Sequence, residues 1–74
     1  MKITLDNQAD AAYIYLVSSI PPGGVKKTLP LENFKLPGMI NLDFDGNDKL
    51  IGIEIVGARN LLDIELLSQA EVIS

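Results

Sequence analysis

The chain has 74 residues and a formal net charge of −4, with 47% hydrophobic and 22% charged residues. This balance is typical of one small globular domain over residues 1–74 and excludes a disordered chain. The absence of cysteine and histidine removes disulfides, thiolate nucleophiles, imidazole bases and the usual zinc ligands. We therefore predict a protein that is not an enzyme and needs no cofactor.

The charges also bear on partners and location. A single arginine, Arg59, and an excess of acidic residues oppose tight binding to nucleic acid, because that affinity comes largely from neutralising phosphates. A cationic partner suits the net negative charge of the chain better than nucleic acid does. No apolar run is long enough to span a membrane, and the N-terminus meets charged residues at once. We expect a cytoplasmic protein without membrane contact.

The first half of the chain predicts strands joined by turns. Residues 2–5 alternate between polar and apolar and predict a first strand. Residues 11–17 are a nearly continuous run of bulky side chains, which predicts a central second strand covered on both faces. Residues 18–24 contain two prolines and two glycines and form a loop. Residues 25–31 predict a third strand, which Pro30 confines to an edge because proline lacks a backbone donor.

The second half predicts a hairpin. A connection over residues 32–38 leads into two alternating segments, residues 39–45 and 50–56. The turn between them contains Gly46, Asn47 and Asp48, residue types that favour tight turns. These segments are therefore predicted strands four and five.

A leucine-rich stretch follows over residues 60–70 and predicts one C-terminal helix, with Asn60 or Asp63 as its N-cap. Its apolar stripe is too wide for a solvated helix, so we expect it to cover one face of the sheet or a second chain. The predicted fold is α+β, a mostly antiparallel sheet of about five strands with one C-terminal helix.

The hairpin also supports a second interpretation, as a calcium loop. In a twelve-residue EF-hand count, Asp43, Asp45, Asn47 and Glu54 occupy positions that need oxygen ligands. Position six is Asp48, however, where the bend of that loop needs glycine. The flanks alternate with period two, whereas an EF-hand needs helices. The hairpin is favoured. The alternative function is an acidic metal- or small-ligand site built from Asp43, Asp45 and Asp48, with Glu54 as a further candidate.

Other acidic residues also allow two interpretations. Asp6 and Asp10 flank a turn and could form a carboxylate pair, but the same residue types satisfy turn backbones, and we favour that role. Glu54 lies opposite the isoleucines of its strand, and we expect it to face water. If that face is covered instead, Glu54 needs a partner such as Lys49 or Arg59.

Two further pairs have structural interpretations by default. Tyr13 and Tyr15 share a strand face, and we favour core packing over a pocket with hydroxyls at its mouth. Lys26 and Lys27 lie on the predicted edge strand, where lysine prevents unwanted strand pairing. We favour that role over ligand binding.

Two segments carry a resemblance to a known family: Asp6-Asn7-Gln8-Ala9-Asp10-Ala11-Ala12-Tyr13-Ile14-Tyr15-Leu16, and Asp43-Phe44-Asp45-Gly46 with Gly52-Ile53-Glu54-Ile55. They resemble the small bacterial and archaeal family named domain of unknown function 2283, over about residues 1 to 60. The resemblance implies a compact β-rich fold and brings no established activity.

The chain departs from the family pattern at several places. Leu5 stands where an aromatic is usual, Ala12 replaces a bulkier residue, and the connection over residues 18–38 is longer than usual. Members of the family also occur beside other short genes in toxin-antitoxin-like contexts, which favours a binding role. We therefore expect a small interaction module, antitoxin-like, that forms a homodimer or binds a small protein partner. A chain this short buries only about 60% or a little more of its unfolded surface, and a partner subunit would add to its thin stability margin.

Overall fold

The computed structural model describes residues 1–32 and 35–74 and contains one six-stranded sheet with two short helices. In chain order the elements are β1 (Lys2–Asp6), β2 (Ala11–Tyr15), β3 (Lys27–Pro30), β4 (Met39–Phe44), β5 (Leu50–Val56), α1 (Ala58–Leu61), α2 (Ile64–Ser68) and β6 (Glu71–Val72). The predicted α+β class with a mostly antiparallel sheet is confirmed. The predicted connection over residues 32–38 includes residues 33 and 34, which lie outside the described residues.

The strands are hydrogen-bonded in the order β3-β4-β5-β2-β1-β6. All neighbours are antiparallel except β1 and β6, which are parallel. The prediction that the third strand lies at an edge is therefore confirmed. The predicted count of about five strands is one too few. The sixth strand has two residues and is held by pairing Glu71 with Thr4 and Val72 with Leu5, so it has no alternation to detect.

The register gives the sheet one apolar and one polar face, because residues paired across neighbouring strands point the same way. The apolar face carries Ile3, Leu5, Ala12, Ile14, Leu29, Ile40, Leu42, Ile53 and Ile55. The polar face carries Thr4, Tyr13, Tyr15, Thr28, Asn41, Asp43, Gly52 and Glu54. Leucines of the helical segment pack against the apolar face, which is the first of the two arrangements expected from the sequence, cover of a sheet face or of a second chain.

The core is small. Leu5, Ala12, Ile55 and Ala58 form its buried cluster. Partly buried apolar residues surround them: Ile14, Ile40, Ile53, Leu61, Leu62, Leu67 and Ala70. No large side chain among the described residues is fully buried. The sheet therefore packs on a thin second layer that covers only part of it.

The predicted single helix over residues 60–70 is wrong, because the segment forms two short helices. Leu62, at the end of α1, has an extended backbone with φ −109° and ψ 141°. Asp63 then begins α2, and its carboxylate accepts a hydrogen bond from the backbone N–H of Glu65 at 2.9 Å. The predicted N-cap thus starts a new helix in the middle of the leucine-rich segment.

The start of α1 is held by a residue from the first turn. Asp10 has a left-handed backbone with φ 50°. Its carbonyl oxygen accepts hydrogen bonds from the N–H groups of Gly57 at 2.8 Å and Ala58 at 2.9 Å. Its carboxylate accepts one from the N–H of Arg59 at 3.1 Å. Asp6 accepts from two N–H groups of its own turn. Both aspartates therefore make the structural contacts favoured by the sequence.

Two glycines let the start of β4 touch the end of β5. A Cβ on Gly38 would overlap the carbonyl oxygen of Val56 and lie 2.8 Å from Leu61 Cδ1. Gly57 has φ 83°, a left-handed conformation that side chains other than glycine rarely adopt. The close approach of these backbones positions α1 over the sheet. Within residues 1–32 and 35–74, no helix is long and apolar enough to cross a membrane.

Candidate functional site

Asp43 is the central residue of the polar face. It is only 8% exposed, and it lies on β4 opposite Gly52 of β5. Its Oδ2 accepts a hydrogen bond from the hydroxyl of Tyr13 at 2.7 Å, and its Oδ1 accepts one from Thr28 Oγ1 at 2.6 Å. The three side chains come from β2, β3 and β4, so the network spans most of the sheet.

The charge of Asp43 has no basic counterpart within residues 1–32 and 35–74. None of the ion pairs among the described residues involves this carboxylate. Hydrogen bonds from two hydroxyl groups stabilise a carboxylate, but they leave its negative charge in place. A buried carboxylate that is held only by neutral donors therefore makes this part of the polar face electronegative.

Tyr13 is fixed in its protonated form. Burial raises the pKa of Tyr13 above its ordinary value, and the hydrogen bond to Asp43 and the charges of Asp43 and Glu54 raise the pKa further. A phenol with a raised pKa stays neutral and keeps donating its proton. The hydroxyl therefore remains a donor to Asp43 throughout the physiological pH range and is unsuited to act as a base.

Gly52 provides the space for the tyrosine ring. A Cβ at position 52 would overlap the hydroxyl of Tyr13 and lie 2.7 Å from its Cε2. Glycine inside a strand often marks such a close approach. Gly52 therefore allows the Tyr13 side chain to cross β5 and reach Asp43.

A cavity of about 260 Å³ opens beside this network, and we call it the tyrosine cavity. It is lined by Tyr13, Tyr15, Ile20, Val25 and Asp43. The two tyrosine rings meet edge to face, with centroids 4.9 Å apart and an angle of 65° between their planes. The cavity combines aromatic and aliphatic walls with one buried carboxylate.

A second cavity of about 500 Å³ is lined by Met1, Lys2, Tyr15, Leu16, Val17 and Ser18. Apart from Tyr15, its lining residues are exposed. Lys2 Nζ lies 5.1 Å from the centroid of the Tyr15 ring and 3.9 Å from Glu71 Oε2. This larger hollow offers no buried polar group and is a weaker candidate for a specific site.

A family profile with the description "Protein of unknown function (DUF2283)" matches residues 2–59. The chain belongs to this family. No curated protein and no solved structure matches the chain. The residues that carried the resemblance thus identified the family correctly. The DUF2283 match includes every polar-face residue described above and ends within α1, so α2 and β6 lie beyond it.

The acidic residues predicted as an alternative site of this DUF2283 protein have separate partners. Asp45 Oδ1 accepts hydrogen bonds from the N–H groups of Asn47 at 2.8 Å and Lys49 at 3.0 Å. Asp48 Oδ1 lies 3.1 Å from Lys27 Nζ. The described residues contain no group of three acidic residues that could hold a metal. The hairpin turn therefore uses its carboxylates to hold its own backbone and a neighbouring lysine.

Glu54 lies on the polar face opposite the isoleucines, as predicted, but the expectation that it simply faces water is wrong. It is half-buried, and its Oε1 accepts a hydrogen bond from Asn41 Nδ2 at 2.9 Å. The partners considered from sequence were Lys49 and Arg59, and Arg59 lies instead near Asp10, at 3.9 Å. Asn41 faces Glu54 directly across the β4–β5 ladder. Glu54 is therefore a second electronegative group beside Tyr13, with which it also pairs across β2 and β5.

The favoured core role of the tyrosines is also wrong. Both lie on the polar face, away from the buried cluster, and they line the tyrosine cavity.

Sequence reasoning did not single out Thr28, Asn41 or Gly52. The strand period of two gives the face of its own strand on which each of Thr28 and Asn41 lies. Their hydrogen-bond partners depend on the register between strands, which the sequence did not specify.

Proposed function

We propose that the chain is a small non-catalytic interaction module that associates with a second copy of itself through its apolar face. The observation that carries this proposal is the amount of surface left exposed. The chain exposes 5060 Å² at a mass of 8.0 kDa. A folded monomer of this mass exposes about 4,450 Å² by the general scaling of area with mass.

The excess of about 600 Å² is comparable to the roughly 800 Å² that each partner buries in a standard interface. The shape of the molecule agrees with this excess of exposed surface. The radius of gyration is 12.3 Å and the extents are 33 × 29 × 19 Å, whereas a compact domain of this length has a radius of gyration of roughly 11.3 Å. The molecule is a flat slab, and a second slab against it would give a more compact particle.

The surface that we assign to the contact is the β3–β4 end of the apolar face, called here the open patch and formed by Leu29 and Leu42. These residues pair with each other across β3 and β4. Leu29 is 51% exposed, and neither residue belongs to the buried cluster or to the apolar residues packed on it. Apolar area of this kind favours association because burial removes it from water.

The exposed edge of β3 is a less suitable contact than the face. The N–H of Leu31 donates to the carbonyl oxygen of Ile40 at 2.9 Å. Because hydrogen-bonded residues alternate along an antiparallel ladder, the backbone groups of Thr28 and Pro30 point outward. Pro30 has no N–H to donate. This edge therefore offers few donors for a new strand, and we assign the contact to the side chains of the face.

The test is the molar mass by light scattering across a concentration series. We expect the mass to approach twice that of the chain at high concentration. Leu29→Ser should shift the population toward the monomer. Val17→Ser is the matched control, because Val17 is 39% exposed but lies outside the open patch, and it should leave the mass unchanged. A mass equal to one chain at all concentrations would contradict the proposal.

We further propose that the open patch can contact a different protein, as in an antitoxin-like role in the cytoplasm. The net charge of −4 supports a basic partner. The test is capture of proteins from an extract of the native host. The role is supported if the wild-type chain captures one basic protein in stoichiometric amount and Leu29→Ser loses it. Equal capture by both chains would contradict an interaction through the open patch.

A further inference from the structure

The tyrosine cavity lies on the opposite face from the open patch, so self-association leaves it unexplained. We propose that this cavity binds an organic ammonium ion, a primary or methylated amine on a short alkyl chain, through Asp43 and the two tyrosine rings. This binding activity does not rest on the proposed self-association.

The carboxylate of Asp43 provides the charge. It lines the cavity and is 8% exposed, and no ion pair among the described residues neutralises it. An ionised carboxylate offers about four acceptor positions, and the hydroxyls of Tyr13 and Thr28 occupy two of them. An ammonium ion has donors for the remaining positions and supplies the missing positive charge.

The tyrosine rings and the aliphatic walls provide the rest of the site. A cation is attracted to the face of an aromatic ring, and aromatic walls are a known way to bind ammonium groups. Tyr15 already has a cation over its ring, because Lys2 Nζ lies 5.1 Å from the ring centroid. Ile20 and Val25 form apolar walls that suit an alkyl chain. A volume of about 260 Å³, below the usual range for drug-sized pockets, suits a small ligand.

Other ligand classes fit this cavity less well. An anion would be repelled by Asp43 and by Glu54, which lies next to Tyr13 on the same face. A divalent metal needs several oxygen ligands in a fixed arrangement, whereas Asp43 is the one carboxylate among the lining residues. An organic cation needs a single carboxylate and an apolar surface, and the cavity provides both.

The test is a titration followed by amide chemical shifts, with n-butylammonium as the probe. Butyrate and 1-butanol at the same ionic strength are controls of equal chain length. We expect saturable shifts at Tyr15, Val25 and Asp43 with n-butylammonium, with a dissociation constant in the millimolar range, and no saturation with the controls. Absence of saturation with n-butylammonium, or equal binding of 1-butanol, would overturn the proposal.

Two variants separate the site from the general charge of the protein. Asp43→Asn keeps a carbonyl acceptor for one of the two hydroxyls, presents an NH₂ donor to the other and removes the charge, and it should weaken binding by about tenfold or more. Asp48→Asn removes one charge from the hairpin turn, outside the cavity, and it should leave the affinity unchanged. Equal weakening by both variants would contradict a specific site. Tyr15→Leu keeps an apolar wall without the aromatic face and should weaken binding severalfold.

The same ammonium chemistry occurs in free amines and in lysine side chains. A parallel titration with a lysine residue blocked at both backbone ends distinguishes them. Binding of both probes shows that the cavity admits a lysine side chain, and binding of n-butylammonium alone limits the ligand to a free amine. Light scattering on the titrated samples keeps the proposals separate, because binding at the cavity is expected whether the chain is a monomer or a dimer.

Discussion

On the polar face of the sheet Asp43 is 8% exposed, and both of its oxygens accept hydrogen bonds, whereas on the apolar face Leu29 is 51% exposed and stands outside the buried cluster. Asp43 and Glu54 accept their hydrogen bonds from side chains of other strands. The apolar side chains depend on a cover of two short helices with four and five residues. The side chains of the polar face thus find partners within the chain, whereas the two short helices leave Leu29 at the β3–β4 end of the apolar face exposed.

The largest loss of stability is expected from a substitution that disturbs the packing of the helices on the apolar face. Gly38→Ala places a methyl group against the carbonyl oxygen of Val56 and the side chain of Leu61. Backbone cannot move aside as a flexible side chain can, so we expect a loss of about 3 kcal/mol in the free energy of unfolding. Urea denaturation measures this loss.

Gly46→Ala is the matched control for that substitution. A Cβ at Gly46 would make an ordinary contact, 3.6 Å from Lys26 Cγ. We expect a change within about 0.5 kcal/mol. Similar losses for the two variants would show that the contact of Gly38 with Val56 and Leu61 is not what distinguishes these positions.

A smaller effect is expected on the polar face. Tyr13→Phe removes one of the two donors to Asp43. A buried acceptor that loses its partner costs about 1–2 kcal/mol. Tyr15→Phe is the control, because no hydrogen bond from Tyr15 contributes to the Asp43 network. If Tyr13→Phe is as stable as Tyr15→Phe in urea denaturation, the polar network contributes little to stability.

The pH dependence of stability gives a second test of the Tyr13 environment. The pKa of Tyr13 is raised above its ordinary value of 10.0, first by burial and then by Asp43. The unfolded chain therefore loses this proton before the folded chain does, and the stability from this group is complete below pH 10 and falls as the pH rises above it. Melting temperatures at increasing alkaline pH should fall less steeply for Tyr13→Phe than for the wild type. Parallel curves would contradict the raised pKa.

The smallest effect is expected at the break between the helices. Asp63→Ala removes the side chain that caps α2 by accepting from the N–H of Glu65. Loss of an N-cap costs about 1 kcal/mol. We expect a slightly lower melting temperature, and Asp63→Asn should retain most of the stability because its side chain also accepts this hydrogen bond. Equal destabilisation by both substitutions would argue against the cap.

The sequence was sufficient for most of the fold. Alternation predicted the strands of the hairpin, and Pro30 predicted the edge, because both depend on local chemistry. The interruption at Asp63 was missed, since the leucine pattern continues through it and an aspartate can cap either the whole segment or its second half. The two-residue strand β6 depends on its partner β1 and has no pattern of its own.

The candidate site was less predictable. Asp43 was selected for its place in a possible calcium loop, and its actual partners are Tyr13 and Thr28, which are 30 and 15 residues away in the chain. The strand period gives the face on which each of these residues lies, but only the order β3-β4-β5-β2 brings the three together. Gly52 carried a local signal, because glycine inside a strand indicates a close approach, although not which residue approaches.

The most direct test of the contrast between the faces is an isotope-filtered nuclear Overhauser experiment on an equal mixture of labelled and unlabelled chains. It detects contacts between copies and identifies the residues involved. We predict intermolecular contacts to the methyl groups of Leu29 and Leu42 and none to the rings of Tyr13 and Tyr15. Intermolecular contacts at the tyrosine rings, or none at the leucines at concentrations where the wild-type mass exceeds that of one chain, would contradict the account.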